Sequence, residues 1–203
     1  MSGTGKTFWS RRLADAGHRI VSCDDLIGRR LAVHLPNGDR ARINDLAAWM
    51  GWPDSVTYAE REAQYLSEEI GALDEVLTGV EKAPEKSLIL DTTGSVIYTG
   101  NHLLRRMRRR MTVVYFAASR AEEQLLIERY LSDPKPVLWR GAFQARAGEA
   151  PRDTVARCYP ALLAARRQSY EALAHVTLQV ADLRKASYDT ETFLAEIRQQ
   201  AGR

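Results

Sequence analysis

The sequence predicts an α/β fold of three layers, a parallel sheet with helices on both faces. Three observations carry that expectation. Short apolar runs at residues 19–23, 88–90, 112–117 and 176–180 alternate with stretches of helical period, and such alternation implies strands joined by crossover helices. The chain has 203 residues, enough for one substantial core, so residues 1–203 read as a single domain. Its composition, 45% hydrophobic and 27% charged, is that of an ordinary globular protein.

Taken in order, the first helix runs from Lys6 to about Asp15, with Phe8, Trp9 and Leu13 available for packing and Gly17 placed to end it. A strand over 19–23 follows. Asp24 and Asp25 stand where a helix cap and first turn would begin. Pro36-Asn37-Gly38-Asp39 is a turn, and Asn44 is positioned to cap a helix over 45–50. A long helix covers 58–77 before the wholly apolar strand at 88–90. Further helices are expected near 101–110, 120–131, 161–174 and 190–200, separated by the strands at 112–117 and 176–180. Residues 132–152, with three prolines and two glycines, break the alternation and read as a mobile lid.

Several classes are disfavoured. The net charge of +3 suits an anionic ligand without arguing for nucleic acid. Cys23 and Cys158 form no metal-like spacing, which fits a reduced, cytoplasmic setting. No apolar run approaches the roughly 18 residues of a membrane span, and the first residues are too polar for a signal peptide.

The chemistry begins at Met1-Ser2-Gly3-Thr4-Gly5-Lys6-Thr7. It matches the later part of the phosphate-binding loop G-x-x-x-x-G-K-[ST], which lies between a buried strand and a helix. In such a loop the backbone N–H groups of Ser2, Gly3, Thr4 and Gly5 would bind phosphate oxygens. Lys6 would reach the outer phosphates, and the Thr7 hydroxyl would ligate Mg²⁺. The fold expectation is therefore a P-loop NTPase. In register, the loop's first glycine would fall one residue before Met1. The sheet is thus expected to have four parallel strands and to lack its first, central one. Met1 reads as an internal methionine, and the natural protein is expected to begin about ten residues upstream.

Two carboxylates at strand ends extend the pattern. Asp91 closes the apolar strand in Leu88-Ile89-Leu90-Asp91-Thr92-Thr93-Gly94, where ligands of parallel sheets bind, and is the second candidate ligand for Mg²⁺. Asp24, after the 19–23 strand, is the candidate to orient or deprotonate an acceptor hydroxyl, with Asp25 as the second choice. Arg129, Lys135 and Arg140 flank or occupy the lid. Arg129 is assigned to the nucleotide and Lys135 to catalysis, whereas Arg140 reads better as a solvated loop residue.

With these motifs in view, nearly the whole chain resembles the shikimate kinases of the P-loop kinase superfamily. Their glycine-rich segment looks like 90–97 here, and their Asp-Thr-Asp-x-x-Ile motif falls on 22–27, with the substrate-binding Asp at Asp24. Their lid signature is similar to Lys135-Pro136-Val137-Leu138, and their late Arg-x-x-x-Tyr-Glu matches Arg166 through Tyr170-Glu171. The resemblance implies an ATP-dependent kinase whose substrate meets Asp24, Gly94 and Arg166. The departures are specific. The family's Phe-Arg-x-x-Glu places Ala59 where a substrate-gripping Arg stands, with Arg61 two residues on. Ser22 replaces the first Asp of the pair, and Thr93 and Ser95 replace two of three glycines. The expected acceptor is therefore a small hydroxylated metabolite, with a neutral or differently shaped compound at least as good a candidate as shikimate, which is expected to be a poor one. No guanine-reading motif is evident, so ATP is the expected nucleotide, and a monomer is the expected state.

Two rival readings remain. Arg105, Arg106, Arg108, Arg109 and Arg110 could bind nucleic acid. Leu103, Leu104, Met107 and Met111 share one helical face, however, so a solvated amphipathic helix accounts for them more simply. A regulatory nucleotide switch without a small substrate would use the same phosphate loop.

Overall fold

A computed structural model describes residues 3–84, 87–133 and 135–202. Met1 and Ser2 lie outside the described residues. Among the described residues the elements run α1 (Lys6–Asp15), β1 (Arg19–Ser22), α2 (Cys23–Arg30), α3 (Ile43–Met50), α4 (Tyr58–Lys82), β2 (Leu88–Asp91) and α5 (Asn101–Arg110). They continue with β3 (Val114–Ala117), α6 (Arg120–Ser132), α7 (Pro151–Leu173), β4 (Val176–Gln179), α8 (Val180–Leu183) and α9 (Thr190–Ala201). The order is that of an α/β fold, and among the described residues no helix is long and apolar enough to cross a membrane.

The four expected strands form, but as two parallel pairs instead of one sheet. β1 pairs with β2, setting Ser22 opposite Asp91, and β3 pairs with β4, setting Val114 opposite Val176. One edge of β2 and one edge of β3 face a shared cavity of about 810 Å³. Leu88–Asp91 line one side and Val114, Tyr115 and Phe116 the other, with Trp9, Leu13 and Phe193 closing it. Among the described residues each of these strands has a single sheet partner, so its second edge offers backbone donors and acceptors to that cavity.

Helix packing explains the remaining shifts from the expected elements. Ser22, instead of Asp24, caps α2, its side chain accepting from the Asp25 N–H at 3.2 Å. Asn44 lies inside α3 instead of capping it, because the Asp45 carboxylate accepts the Arg42 N–H at 2.7 Å and starts the helix earlier. α7 begins at Pro151, ten residues ahead of the expected start, and runs through Pro160. Proline disfavours a helix interior, but Thr154, Val155, Cys158 and Tyr159 are all buried on the core side, and that burial carries the helix past it. α5 has the amphipathic form anticipated for its arginines. Leu103 and Met107 are buried with Leu73 and Leu77, while Arg106 is held by Asp74 and Glu81.

The facing edges generate a test. Amides of β2 and β3 that point into the cavity should exchange with solvent far faster than those in the β1–β2 and β3–β4 ladders. Joining a five-residue Val/Ile strand ahead of residue 1 should slow that exchange and raise Tm by about 5 °C or more, since each buried backbone group left unpaired costs about 1–3 kcal/mol. Unchanged exchange and Tm would show that the edges are satisfied some other way.

Candidate functional site

The described residues of the expected phosphate loop form a turn into α1. Gly3 has φ 81° and Gly5, the N-terminal cap of α1, has φ 101°, both in the left-handed region that glycine alone enters freely. A side chain at Gly3 would also meet Leu126 Cδ2 at 2.8 Å. Thr4 is buried, while Thr7 is exposed at the first turn of α1. Ser2 lies outside the described residues. The turn thus presents a helix N-terminus, which favours anions, with Lys6 as its first residue.

The register of β1 on β2 brings the two strand-end carboxylates to the same edge. Asp91 accepts from Ser10 Oγ of α1 at 3.2 Å, tying the strand end to the helix that follows the loop. Asp24 accepts from the Tyr65 hydroxyl at 3.3 Å. Burial raises the pKa of the Asp24 carboxyl, the Lys6 charge opposes that shift, and the Asp91 charge adds to it. Lys6 and Asp91 are therefore both close enough to act on Asp24. The neighbouring Cys23 thiol is pushed up by burial and by the charges of Glu69, Asp24 and Asp91, which makes it a poor nucleophile.

Other candidates are engaged elsewhere. Arg166 is buried in α7. Its Nη2 donates to the Leu138 carbonyl at 2.6 Å and its Nε to the Tyr98 hydroxyl at 3.3 Å, with the guanidinium 5.4 Å from the Tyr98 ring centroid. Gly94 is held by its carbonyl, which accepts from the Tyr170 hydroxyl. Ala59 is exposed on α4, and the Arg61 guanidinium turns to the Trp49 carbonyl and over the Trp49 ring. Lys135 Nζ donates to Asn44 Oδ1 at 2.5 Å and pairs with Asp133 at 2.8 Å.

Within the segment expected to act as a lid, Val137, Leu138 and Trp139 are buried. The Tyr58 hydroxyl holds them, donating to the Val137 carbonyl at 2.5 Å and accepting from the Trp139 N–H at 3.0 Å. Pro134 lies outside the described residues.

Sequence reasoning missed two features. The first is Glu69, 1% exposed, which accepts from Ser95 Oγ at 2.5 Å and from the Thr93 hydroxyl. Its signal was present, because Glu62 and Glu69 interrupt the buried stripe of Tyr58, Tyr65, Leu73 and Leu77 on α4. The second is a cavity of about 440 Å³ between the glycine turn and the segment after α8, where Arg12, Arg129, Arg184 and Lys185 converge. Arg184 and Lys185 gave no signal in the sequence, since only the fold brings them to the loop.

No protein-family model matches the chain, and no curated protein matches it. Among solved structures it is similar to the shikimate kinase of Bacteroides thetaiotaomicron, known from a 1.7 Å crystal structure, with a TM-score of 0.53 and 16% identity. The match covers 100% of this chain and 91% of that one. At that identity the likeness is one of fold alone, an α/β arrangement.

Glu69 supplies a pH test. Burial raises its pKa from 4.5 to about 7, against the pull of the Ser95 and Thr93 hydroxyls. The folded state therefore binds its proton more tightly than the unfolded state. Its contribution to stability is fully present below about pH 4.5, falls as pH rises through about 7, and is flat above that, a loss on the order of 3 kcal/mol. Chemical denaturation between pH 4.5 and 8 should show this slope, and Glu69→Gln should remove it. An equal slope in the variant would assign the dependence to other groups.

Proposed function

We propose that this protein is an ATP-dependent phosphotransferase acting on a hydroxyl group of a small metabolite. The observation that carries the reading is that the Lys6 and Asp91 charges both act on the buried Asp24 carboxyl, with Asp91 tied to α1 through Ser10. The likeness in fold to a kinase supports it at a coarser level.

In this reading the backbone of the Gly3–Gly5 turn and the N-terminus of α1 hold the β- and γ-phosphates, and Lys6 stabilises the charge that spreads over the γ-oxygens during transfer. The cavity lined by Arg12, Arg129, Arg184 and Lys185 continues from that turn and takes the rest of the nucleotide. The Thr7 hydroxyl and the Asp91 carboxylate are hard oxygen donors of the kind Mg²⁺ prefers, and a magnesium ion held there would neutralise phosphate charge. Asp24 accepts the proton of the acceptor hydroxyl. The hydroxyl oxygen then bonds to the γ-phosphorus, the bond from that phosphorus to the β–γ bridging oxygen breaks, and ADP leaves. A carboxylate whose pKa is raised by burial is a better base than a solvated one at neutral pH. Residues 132–152 act as the lid, with Lys135 leaving Asn44 and Asp133 to meet the phosphates.

The acceptor is a compound without a carboxylate. Arg166 is committed to Leu138 and Tyr98, Arg61 to Trp49, and position 59 is an alanine. Shikimate should accordingly be a poor acceptor, and Ala59→Arg should lower its apparent KM. Efficient phosphorylation of shikimate by the unaltered protein at micromolar KM would show that another cation takes the role.

ADP release measured against a panel of hydroxylated metabolites tests the activity itself. Lys6→Ala should reduce turnover about a thousandfold or more with the fold retained, equivalent to at least 4 kcal/mol in the barrier. Asp24→Asn should lower kcat severely while ATP affinity changes little. Near-normal turnover in Lys6→Ala would overturn the proposal, and hydrolysis indifferent to every acceptor would favour a nucleotide switch.

A further inference from the structure

The proposed transfer leaves the most deeply buried carboxyl group of this region without a role. Glu69 projects from α4 beneath the turn that follows β2, and both its oxygens are taken up there. Ser95 Oγ donates to Oε2 at 2.5 Å and the Thr93 hydroxyl donates to Oε1. The two hydroxyl oxygens lie 3.0 Å apart, which closes a ring of three side chains, and the Ser95 N–H braces it by donating to Thr93 Oγ1 at 3.1 Å. Gly94, between them, is held from the opposite element by the Tyr170 hydroxyl on its carbonyl. All three ring members are buried, with Thr93 7%, Ser95 4% and Glu69 1% exposed, so each depends on the others for its hydrogen bonds.

We propose that Glu69 is a positioning residue of the phosphoryl-transfer site, fixing through the Thr93–Ser95 ring the turn that carries Asp91 at its start and Gly94 at its tip. The inference rests on the proposed function for what is positioned, while the ring itself stands on the hydrogen bonds alone. A turn built from glycines would be free to move. Here two hydroxyl side chains and a buried carboxyl group replace that freedom with fixed bonds.

The ring tolerates a proton. With Glu69 ionised, both hydroxyls donate to the carboxylate. With Glu69 protonated, its O–H donates to Ser95 Oγ, the Ser95 hydroxyl to Thr93 Oγ1, and the Thr93 hydroxyl to the remaining carboxyl oxygen, so no member is left unpaired. Asp24, Cys23, Tyr65, Tyr170 and Arg166 are the titratable or charged groups around it. The turn therefore keeps its shape whichever form Glu69 takes, and only the charge near Asp24 changes.

Three variants test this, each read by amide hydrogen exchange at residues 92–95 and by kcat and KM for ATP. Glu69→Gln can still accept with its carbonyl and donate with its amide, so it should complete the ring. Its exchange should stay within about twofold of the unaltered protein, with kcat largely kept. Glu69→Ala opens the ring and should speed exchange there about tenfold or more. It should also lower kcat by a similar factor, with the KM for ATP within about threefold. Ser95→Ala, which removes one hydroxyl and spares the helix, should fall between them and serves if Glu69→Ala does not fold.

Exchange and kcat unchanged in Ser95→Ala or Glu69→Ala would overturn the proposal. So would a Glu69→Gln turn as mobile as that of Glu69→Ala. Faster exchange with the acceptor panel inactive throughout would uphold the ring and count against the kinase reading alone.

Discussion

The parallel register of β1 on β2 is the constraint on which the rest of the site depends. Setting Ser22 opposite Asp91 places the chain that leaves β1, with Cys23 and Asp24, beside the turn that leaves β2, with Thr93 to Ser95. Slipping one strand by a single residue would turn its alternate side chains to the other face and separate these carboxylates. α1 is bound to the same edge through Ser10 and Asp91, so the glycine turn is located by the strands as well as by its own conformation. One four-residue ladder thereby brings together segments far apart in the chain.

Charge buried at that edge has to be compensated, and the compensation shapes the neighbouring helices. Arg166 lies in α7 and donates to Leu138 and Tyr98, which links residues 137–139 to the short helix Val96–Tyr98. Glu62 accepts the Arg140 N–H at 2.9 Å, where Arg140 takes a left-handed φ of 49°. Glu69 is satisfied by hydroxyls in place of a cation. Removing one partner from any of these sets would strand a buried polar group, which costs more than the bond itself contributes. The residues 137–139 are consequently anchored on α4 and α7.

The cavity between β2 and β3 is the other organising feature. Apolar side chains from α1 and α9 enclose it, with Trp9 stacked on Phe193 at 4.5 Å between ring centroids. Its volume is within the range of small-molecule pockets. Yet two of its walls are strand edges, whose backbone groups a strand would satisfy better than an apolar ligand.

Alternation of apolar runs and helical periods was sufficient in the sequence to establish the α/β class, the parallel sense of the strands and the position of nearly every helix, because those depend on local patterning. The glycine turn before α1 and the carboxylates at the ends of β1 and β2 were legible for the same reason, since each lies in a contiguous stretch. Tertiary structure alone decided that the strands form two pairs, because pairing depends on which edges meet. It alone turned Arg61 and Arg166 to internal partners and brought Arg184 and Lys185 to the glycine turn. Glu69 marks the boundary between the two. Its spacing placed it on the buried stripe of α4, but the partners that make such burial tolerable, Thr93 and Ser95, are brought to it only by the fold.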